Sequence, residues 1–238
     1  MDLKEKVIRS KNNDKIDFTK IGCLNQTDTL VKVQSSDRLA IQPNWTIPGD
    51  FEGDMYADYR LTHPEYDGVY VRSELLRRLM LAANSLDERY QLVVRAGHRP
   101  LDVQKRLLHD CVEQYKKNNP GATDAEALTQ ARIFVSDPAV ELPPHCAGAA
   151  VDVDVRDVTT NAMVDFGSFV NENDGSSYLY ADGITDEHKA NRQMLLQAML
   201  DAGLASCYSE WWHYSYGDQV WAWFYGKQDC LYGTVAIS

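Results

Sequence analysis

Between Pro144 and Val155 the chain reads Pro-His-Cys-Ala-Gly-Ala-Ala-Val-Asp-Val-Asp-Val. From Gly148 to Val155 polarity alternates with period two, the pattern of a strand with unlike faces. Ala150, Asp152 and Asp154 lie on one face, and Val151, Val153 and Val155 on the other. With the valines toward a core, Asp152 is aimed into a cleft. The small residues from Ala147 to Ala150 let a turn and the strand pack closely, and His145 sits at the far side of that turn.

The rest of the chain supplies the partners such a strand needs. Leu30 to Val33 and Leu39 to Ile41 read as short strands around the turn-prone Ser35-Ser36-Asp37. Pro43 to Gly68, rich in Pro, Gly, Asp and Tyr, reads as irregular, with His63 at the surface. Ser73 opens a helix to about Arg89, with Leu75, Leu79, Ala83 and Leu86 on one face. Gln91 to Arg95 is a strand, stopped by Ala96-Gly97-His98-Arg99-Pro100. Pro100 suits the first turn of the next helix, which Asn118-Asn119-Pro120-Gly121 ends.

Thr123 with Glu126 forms a capping box for a helix to about Phe134. The polar stretch from Asp157 to Gly183 reads as a long functional loop, and Thr185 to Ala202 as a helix with Gly203 as its C-terminal cap. Cys207 to Tyr216 and Val220 to Tyr225 read as the last strands. Together these predict an α+β domain with a mostly antiparallel central sheet and flanking helices. Residues 1–45 are expected to be an N-terminal extension whose role the sequence does not give, and residues 46–238 the domain that carries the chemistry.

Composition narrows the partners. A net charge of -11 argues against nucleic acid or an anionic membrane, and no apolar run approaches the ~20 residues of a membrane span. The first residues, from Met1 to Lys15, have no apolar signal core, which reads as cytoplasmic, or as periplasmic if a leader has been removed. Five scattered cysteines without a CxxC pair read as reduced, mostly buried thiols, with a Cys23–Cys230 bridge left open.

His145 and Asp152 are good ligands for a divalent metal, and Glu210-Trp211-Trp212-His213 offers a second imidazole beside another carboxylate. Two histidines and one aspartate leave one tetrahedral position for water, as a catalytic zinc needs. Glu210 is then the candidate to take that water's proton. On an ideal strand Glu210 and His213 point oppositely, so Glu210 has to lie before regular pairing or beside a bulge. Arg99, in a turn between strand and helix, is the guanidinium best suited to an oxyanion. A cation there opposes the helix dipole, which asks for a functional reason. On spacing alone, a Trp-rich packing strand with incidental polar residues stands as the alternative.

His145-x-x-Gly148-x-Ala150-x-Asp152, Glu210-Trp211-Trp212-His213 and Gly97-His98-Arg99-Pro100 together resemble the D-alanyl-D-alanine dipeptidases, the VanX-like zinc peptidases. The wider relatives are D,D-carboxypeptidases and hedgehog-fold zinc proteins. The resemblance, over roughly Tyr56 to Tyr214, implies that fold, one zinc on His145, Asp152 and His213, Glu210 as general base and Arg99 stabilising the transition state. Tyr56 falls where the dipeptidases place a tyrosine near the substrate, and Asn171 where they place the aspartate that holds the substrate's ammonium group.

Pro143 and Ala96 are further departures, in place of the family's usual Ser and Asp. The expected activity is hydrolysis of D-Ala-D-Ala or a similar short peptide from cell-wall metabolism. Alternatives are a peptidoglycan D,D- or L,D-carboxypeptidase or endopeptidase, favoured by Asn171, and a non-catalytic zinc-binding module. Retention of Glu210 and Arg99 argues against the module, because a structural site needs neither.

Overall fold

The computed structural model describes residues 17–42, 56–172 and 175–236, together with Glu5 and Val7. Its strands in chain order begin with β1 (Gly22–Cys23), β2 (Leu30–Lys32), β3 (Leu39–Ile41) and β4 (Tyr70–Arg72). The long pair β5 (Tyr90–Ala96) and β6 (Ala150–Asp157) follows, then β7 (Ala162–Met163), β8 (Ala205–Ser206), β9 (His213–Ser215) and β10 (Asp229–Cys230). The helices are α1 (Ala57–Thr62), α2 (Ser73–Ser85), α3 (Leu101–Asn118), α4 (Asp124–Ala131), α5 (Asp186–Asp201) and α6 (Gln219–Phe224).

Six strands form the central sheet in the order β3-β5-β6-β9-β8, with β7 on the free end of β6. Within this sheet only β3 and β5 run parallel. The fold is thus α+β around a mostly antiparallel sheet. The valine face of β6 is fully buried and joins Leu75 and Leu79 of α2, Leu195 and Met199 of α5, and Trp212 and Tyr214 in one core. That core, with α2 and α5 packed on each other, backs the sheet and leaves the Asp152 face for the site. No helix among the described residues is long and apolar enough to cross a membrane.

Local chemistry sets most boundaries. Thr123 and Glu126 make both hydrogen bonds of the capping box at α4, and Thr185 pairs in the same way with His188 at α5. Gly97 follows β5 where the backbone crosses β4: a Cβ there would lie 2.5 Å from the Tyr70 carbonyl oxygen, so no larger residue fits.

Four expectations change. Val220 to Tyr225 is helix rather than strand, because Asp218 accepts the Trp221 amide at 2.7 Å and caps α6. The strand expected over Cys207 to Tyr216 shrinks to β9, and the residues before it form the turn that carries Glu210. The strands β2 and β3 join β4 and β5 rather than each other. Pro100 precedes α3 as its N-cap instead of lying in its first turn. The irregular excursion expected from Pro43 holds the short α1, and residues 43–55, with the expected domain boundary, lie outside the described residues.

The loop after β7 is held from beneath by Arg192 of α5, which is 1% exposed. Its Nε donates to the Phe166 carbonyl and one Nη to the Ser176 carbonyl, both at 2.8 Å, and the other Nη donates to the Tyr178 carbonyl. Burial lowers this guanidinium to about 10, still charged at neutral pH. Arg192→Met is therefore expected to lower unfolding free energy by about 3 kcal/mol, since three carbonyls lose a charged donor. A urea melt checks it; a loss below about 1 kcal/mol would show the loop to be held by other contacts.

Candidate metal centre

Three chain segments converge at the open face of β6. His145 opens a 3-10 turn (His145–Ala147) that ends at Gly148, which is left-handed at φ 65°. The left-handed backbone calls for glycine there; a Cβ would also have to push aside the tip of Leu30, whose Cδ2 it would meet at 2.4 Å. Asp152 lies two residues into β6, paired with Ala96 of β5 on one side and His213 of β9 on the other. That register puts an imidazole directly beside a carboxylate. Just before β9, the His213 amide donates to the Glu210 carbonyl at 3.2 Å. The turn brings Glu210 back beside His213, meeting the condition that the spacing set for it.

Asp152 is the hub. One carboxylate oxygen lies 3.5 Å from His145 Nε2, and the other 3.0 Å from His213 Nδ1. The three donor atoms fall within 4.8 Å of one another, the group among the described residues able to hold a metal ion. His145 Nδ1–H donates to the Gly97 carbonyl at 2.7 Å, which fixes the tautomer and leaves the Nε2 lone pair toward the cluster. Two nitrogens and one carboxylate oxygen are the donor set of an open catalytic zinc site, and the arrangement fits. Glu210 stands beside it, its Oε2 3.8 Å from His213 Nδ1.

The electrostatics follow from burial and from these neighbours. Burial pushes Glu210 up to about 7, against the pull of His213 and with Asp152 adding to the rise. Burial acts the same way on Asp152, but His145 and His213 outweigh it and hold the carboxyl well below its usual range. Burial lowers His145, so its Nε2 is free of a proton. For His213, Asp152 and Glu210 outweigh burial and keep the imidazole protonated to higher pH.

Arg99 approaches from the turn after β5, its amide bonded to the His145 carbonyl at 3.0 Å. Its Nη1 donates to Gln104 Oε1 at 2.9 Å, and Gln104 in turn donates to the Ser136 carbonyl at 2.7 Å. Burial would lower its guanidinium, but Tyr56 and Asp152 outweigh that, and the guanidinium donates a hydrogen bond to the Tyr56 hydroxyl oxygen. Arg99 Nε remains buried with no protein partner among the described residues. The sequence reading did not single out Gln104; its signal was a polar residue one helical turn into α3 on the buried side, between Val103 and Leu107.

The structure brings His145, Asp152, His213, Glu210, Arg99 and Tyr56 together. Asn171 lies in a left-handed conformation (φ 69°) within the loop after β7, and among the described residues no hydrogen bond ties it to the cluster. That loop does reach the Glu210 turn: Trp211 donates its amide to the Ser177 carbonyl at 3.0 Å and its Nε1 to Ser168 Oγ at 2.9 Å. Asp154, next along the face of β6, is paired with Arg95 at 2.8 Å. His63 stacks on Tyr59 at 4.0 Å, outside the cluster.

Comparison with known proteins gives the family of the chain. A D-alanyl-D-alanine dipeptidase of Synechocystis is 26% identical over 72% of this chain and 77% of its own length. The corresponding enzyme of Enterococcus faecium is 27% identical, over 64% of this chain and 74% of its own. One of Enterococcus faecalis is 26% identical, over 60% and 70%. Among solved structures, the vancomycin-resistance D,D-pentapeptidase VanY in complex with Zn(II) aligns at 20% identity over 69% of this chain and 83% of its own, TM-score 0.41. VanYB in complex with D-alanine-D-alanine aligns at 20% identity over 68% and 81%, TM-score 0.42. The profile of one peptidase family, D-Ala-D-Ala dipeptidase, matches residues 72–230, a span that takes in Arg99, His145, Asp152, Glu210 and His213, and the chain is a member of that family.

Proposed function

We propose that this dipeptidase-family member hydrolyses D-Ala-D-Ala or a similar short peptide containing D-amino acids, using one zinc ion held by His145, Asp152 and His213. The observation that carries the reading is the convergence of two imidazoles and a carboxylate within 4.8 Å, with the half-buried Glu210 carboxylate 3.8 Å from His213 Nδ1. The chemistry that zinc supplies when bound is Lewis acidity, which acidifies a water to a pKa of about 7 and polarises the scissile carbonyl.

The chain's own residues do the rest. Glu210 Oε2 takes the proton from the attacking water and returns it to the leaving amine, a role its place beside the three-donor cluster suits. Arg99 meets the developing oxyanion with a fixed positive charge, held in place by Gln104 and Tyr56. The buried Trp211 and Trp212 rings anchor the turn that carries Glu210 in the core.

Metal uptake in this reading is coupled to proton release. Both Glu210 and His213 hold protons to higher pH than usual in the metal-free protein, and a divalent cation expels them. Zinc affinity is therefore expected to rise with pH through about 7, with protons released on loading at pH 6.5. Calorimetry in buffers of different ionisation enthalpy counts them, and Glu210→Gln should reduce the count. An uptake without proton release at that pH would contradict these assignments.

A second reading, a peptidoglycan D,D- or L,D-carboxypeptidase or endopeptidase, is favoured by Asn171. An amide there offers no charge to a substrate ammonium, and the neighbouring Glu172 is engaged, its carboxylate accepting the Phe169 amide at 2.9 Å. Assays of free D-Ala-D-Ala against its N-acylated form separate the two. Cleavage of the free dipeptide is expected, and Asn171→Asp should raise its kcat/KM about tenfold, one charged contact's worth. Cleavage of the acylated peptide alone would reject the dipeptidase and leave the carboxypeptidase.

A further inference from the structure

The turn that carries His145 is tied down at each of its carbonyls, and one tie comes from a segment beyond the family match, which ends at residue 230. The His145 carbonyl accepts the Arg99 amide at 3.0 Å, and the Ala147 carbonyl accepts Arg72 Nε at 2.8 Å. The Cys146 carbonyl, between them, accepts the Val235 amide at 3.0 Å. Val235 is bound on its other side too: its carbonyl lies 2.9 Å from His98 Nε2. His98 sits between Gly97, whose carbonyl fixes the His145 tautomer, and Arg99.

One residue near the C-terminus thus bridges the two turns that supply a metal ligand and the guanidinium. Arg72 adds a second rung, since its Nη2 donates to the Gly233 carbonyl at 3.2 Å while its ring neighbour Tyr232 lies 4.9 Å from the guanidinium carbon. His98 is 2% exposed, and its contact with a carbonyl requires the proton on Nε2. Nδ1 is then a bare acceptor, buried with no partner among the described residues. A buried imidazole with one satisfied nitrogen costs stability, and the contact it keeps is the one to the strap.

We propose that residues 233–236 form a strap that positions the two site turns against each other, with His98 as the positioning residue that anchors it. The inference rests on the reading of His145 as a metal ligand and Arg99 as the oxyanion partner. It places part of the site's geometry in a stretch outside the matched family segment.

Three variants of the full chain test it. Val235→Pro removes the amide donor to Cys146, His98→Phe removes the ring donor while keeping an aromatic ring, and His98→Gln restores a donor near the Nε2 position. The first two are expected to weaken zinc binding, read by competition with a chromophoric chelator, about tenfold or more, the usual effect of losing an outer contact behind a ligand. They should also lower kcat with KM within about twofold of wild type, and His98→Gln should recover most of both.

Amide exchange across residues 145–149 should be faster in the same two variants, a readout independent of metal and substrate. If wild type takes up no zinc, the functional reading fails and amide exchange alone decides the strap. Should Val235→Pro not fold, the two His98 variants decide. Zinc affinity, kcat and exchange all unchanged in His98→Phe, or His98→Gln no better than His98→Phe, would overturn the proposal.

Discussion

Exchange of Glu210 for alanine is expected to lower turnover of the zinc-loaded protein by about a thousandfold while its metal content stays that of wild type. The size follows from the role, since a positioned general base contributes about 10²–10⁴-fold. Retention of metal follows from the geometry. Glu210 is outside the set of three converging donors, 3.8 Å from His213 Nδ1, and its loss leaves His145, Asp152 and His213 paired as before.

Replacing the same residue by glutamine has a stability signature. A carboxyl raised to about 7 favours the folded protein only while it holds its proton, so its contribution is lost as pH rises through about 7. Metal-free Glu210→Gln should therefore melt higher than wild type at pH 8, with the gap narrowing as pH falls toward 5. Turnover within tenfold of wild type would remove Glu210 from the mechanism, whatever the melts show.

His213→Ala is expected to abolish activity together with metal binding. One of three donors is removed, and Asp152 loses the partner it holds at 3.0 Å. A closed four-ligand zinc site is worth roughly 10–16 kcal/mol, so one ligand is worth about 3–4 kcal/mol, or about 10²–10³-fold in affinity. The loss should exceed that of any variant outside the ligand set. It should come with a lower melting temperature for the metal-free protein, because a buried carboxylate then keeps only His145. Chelator competition and a thermal melt measure both; metal content unchanged in His213→Ala would contradict the ligand assignment.

The convergence of His145, Asp152 and His213 was legible in the sequence because these residues lie in two short stretches. The alternation from Gly148 to Val155 dictates which way Asp152 points, and β6 keeps that alternation with its valines fully buried. Helices with strong caps were legible for the same reason: Thr123 with Glu126 states the start of α4 within four residues. One local cap was outweighed by propensity, and what depended on distant partners was not legible. The run Val220 to Phe224 is aromatic and β-branched enough to suggest a strand, yet Asp218 caps it into helix, and β-propensity yields to context.

Likewise nothing in Leu30 to Lys32 or Leu39 to Ile41 says that they pair with β4 and β5 rather than with each other. Gln104 was invisible because a glutamine inside a helix looks like any surface polar residue until Arg99 is seen against it. Asn25, Asn161 and Asn171 share a left-handed backbone, which a sequence suggests only weakly.

The most direct test of the central claim is anomalous diffraction at the zinc edge from crystals of the zinc-loaded chain. One peak per chain is expected about 2.0–2.2 Å from His145 Nε2, an Asp152 carboxylate oxygen and His213 Nδ1, with its remaining position free of protein atoms and facing Glu210. A peak held by other side chains, or one whose fourth position is filled by a protein ligand, would contradict it.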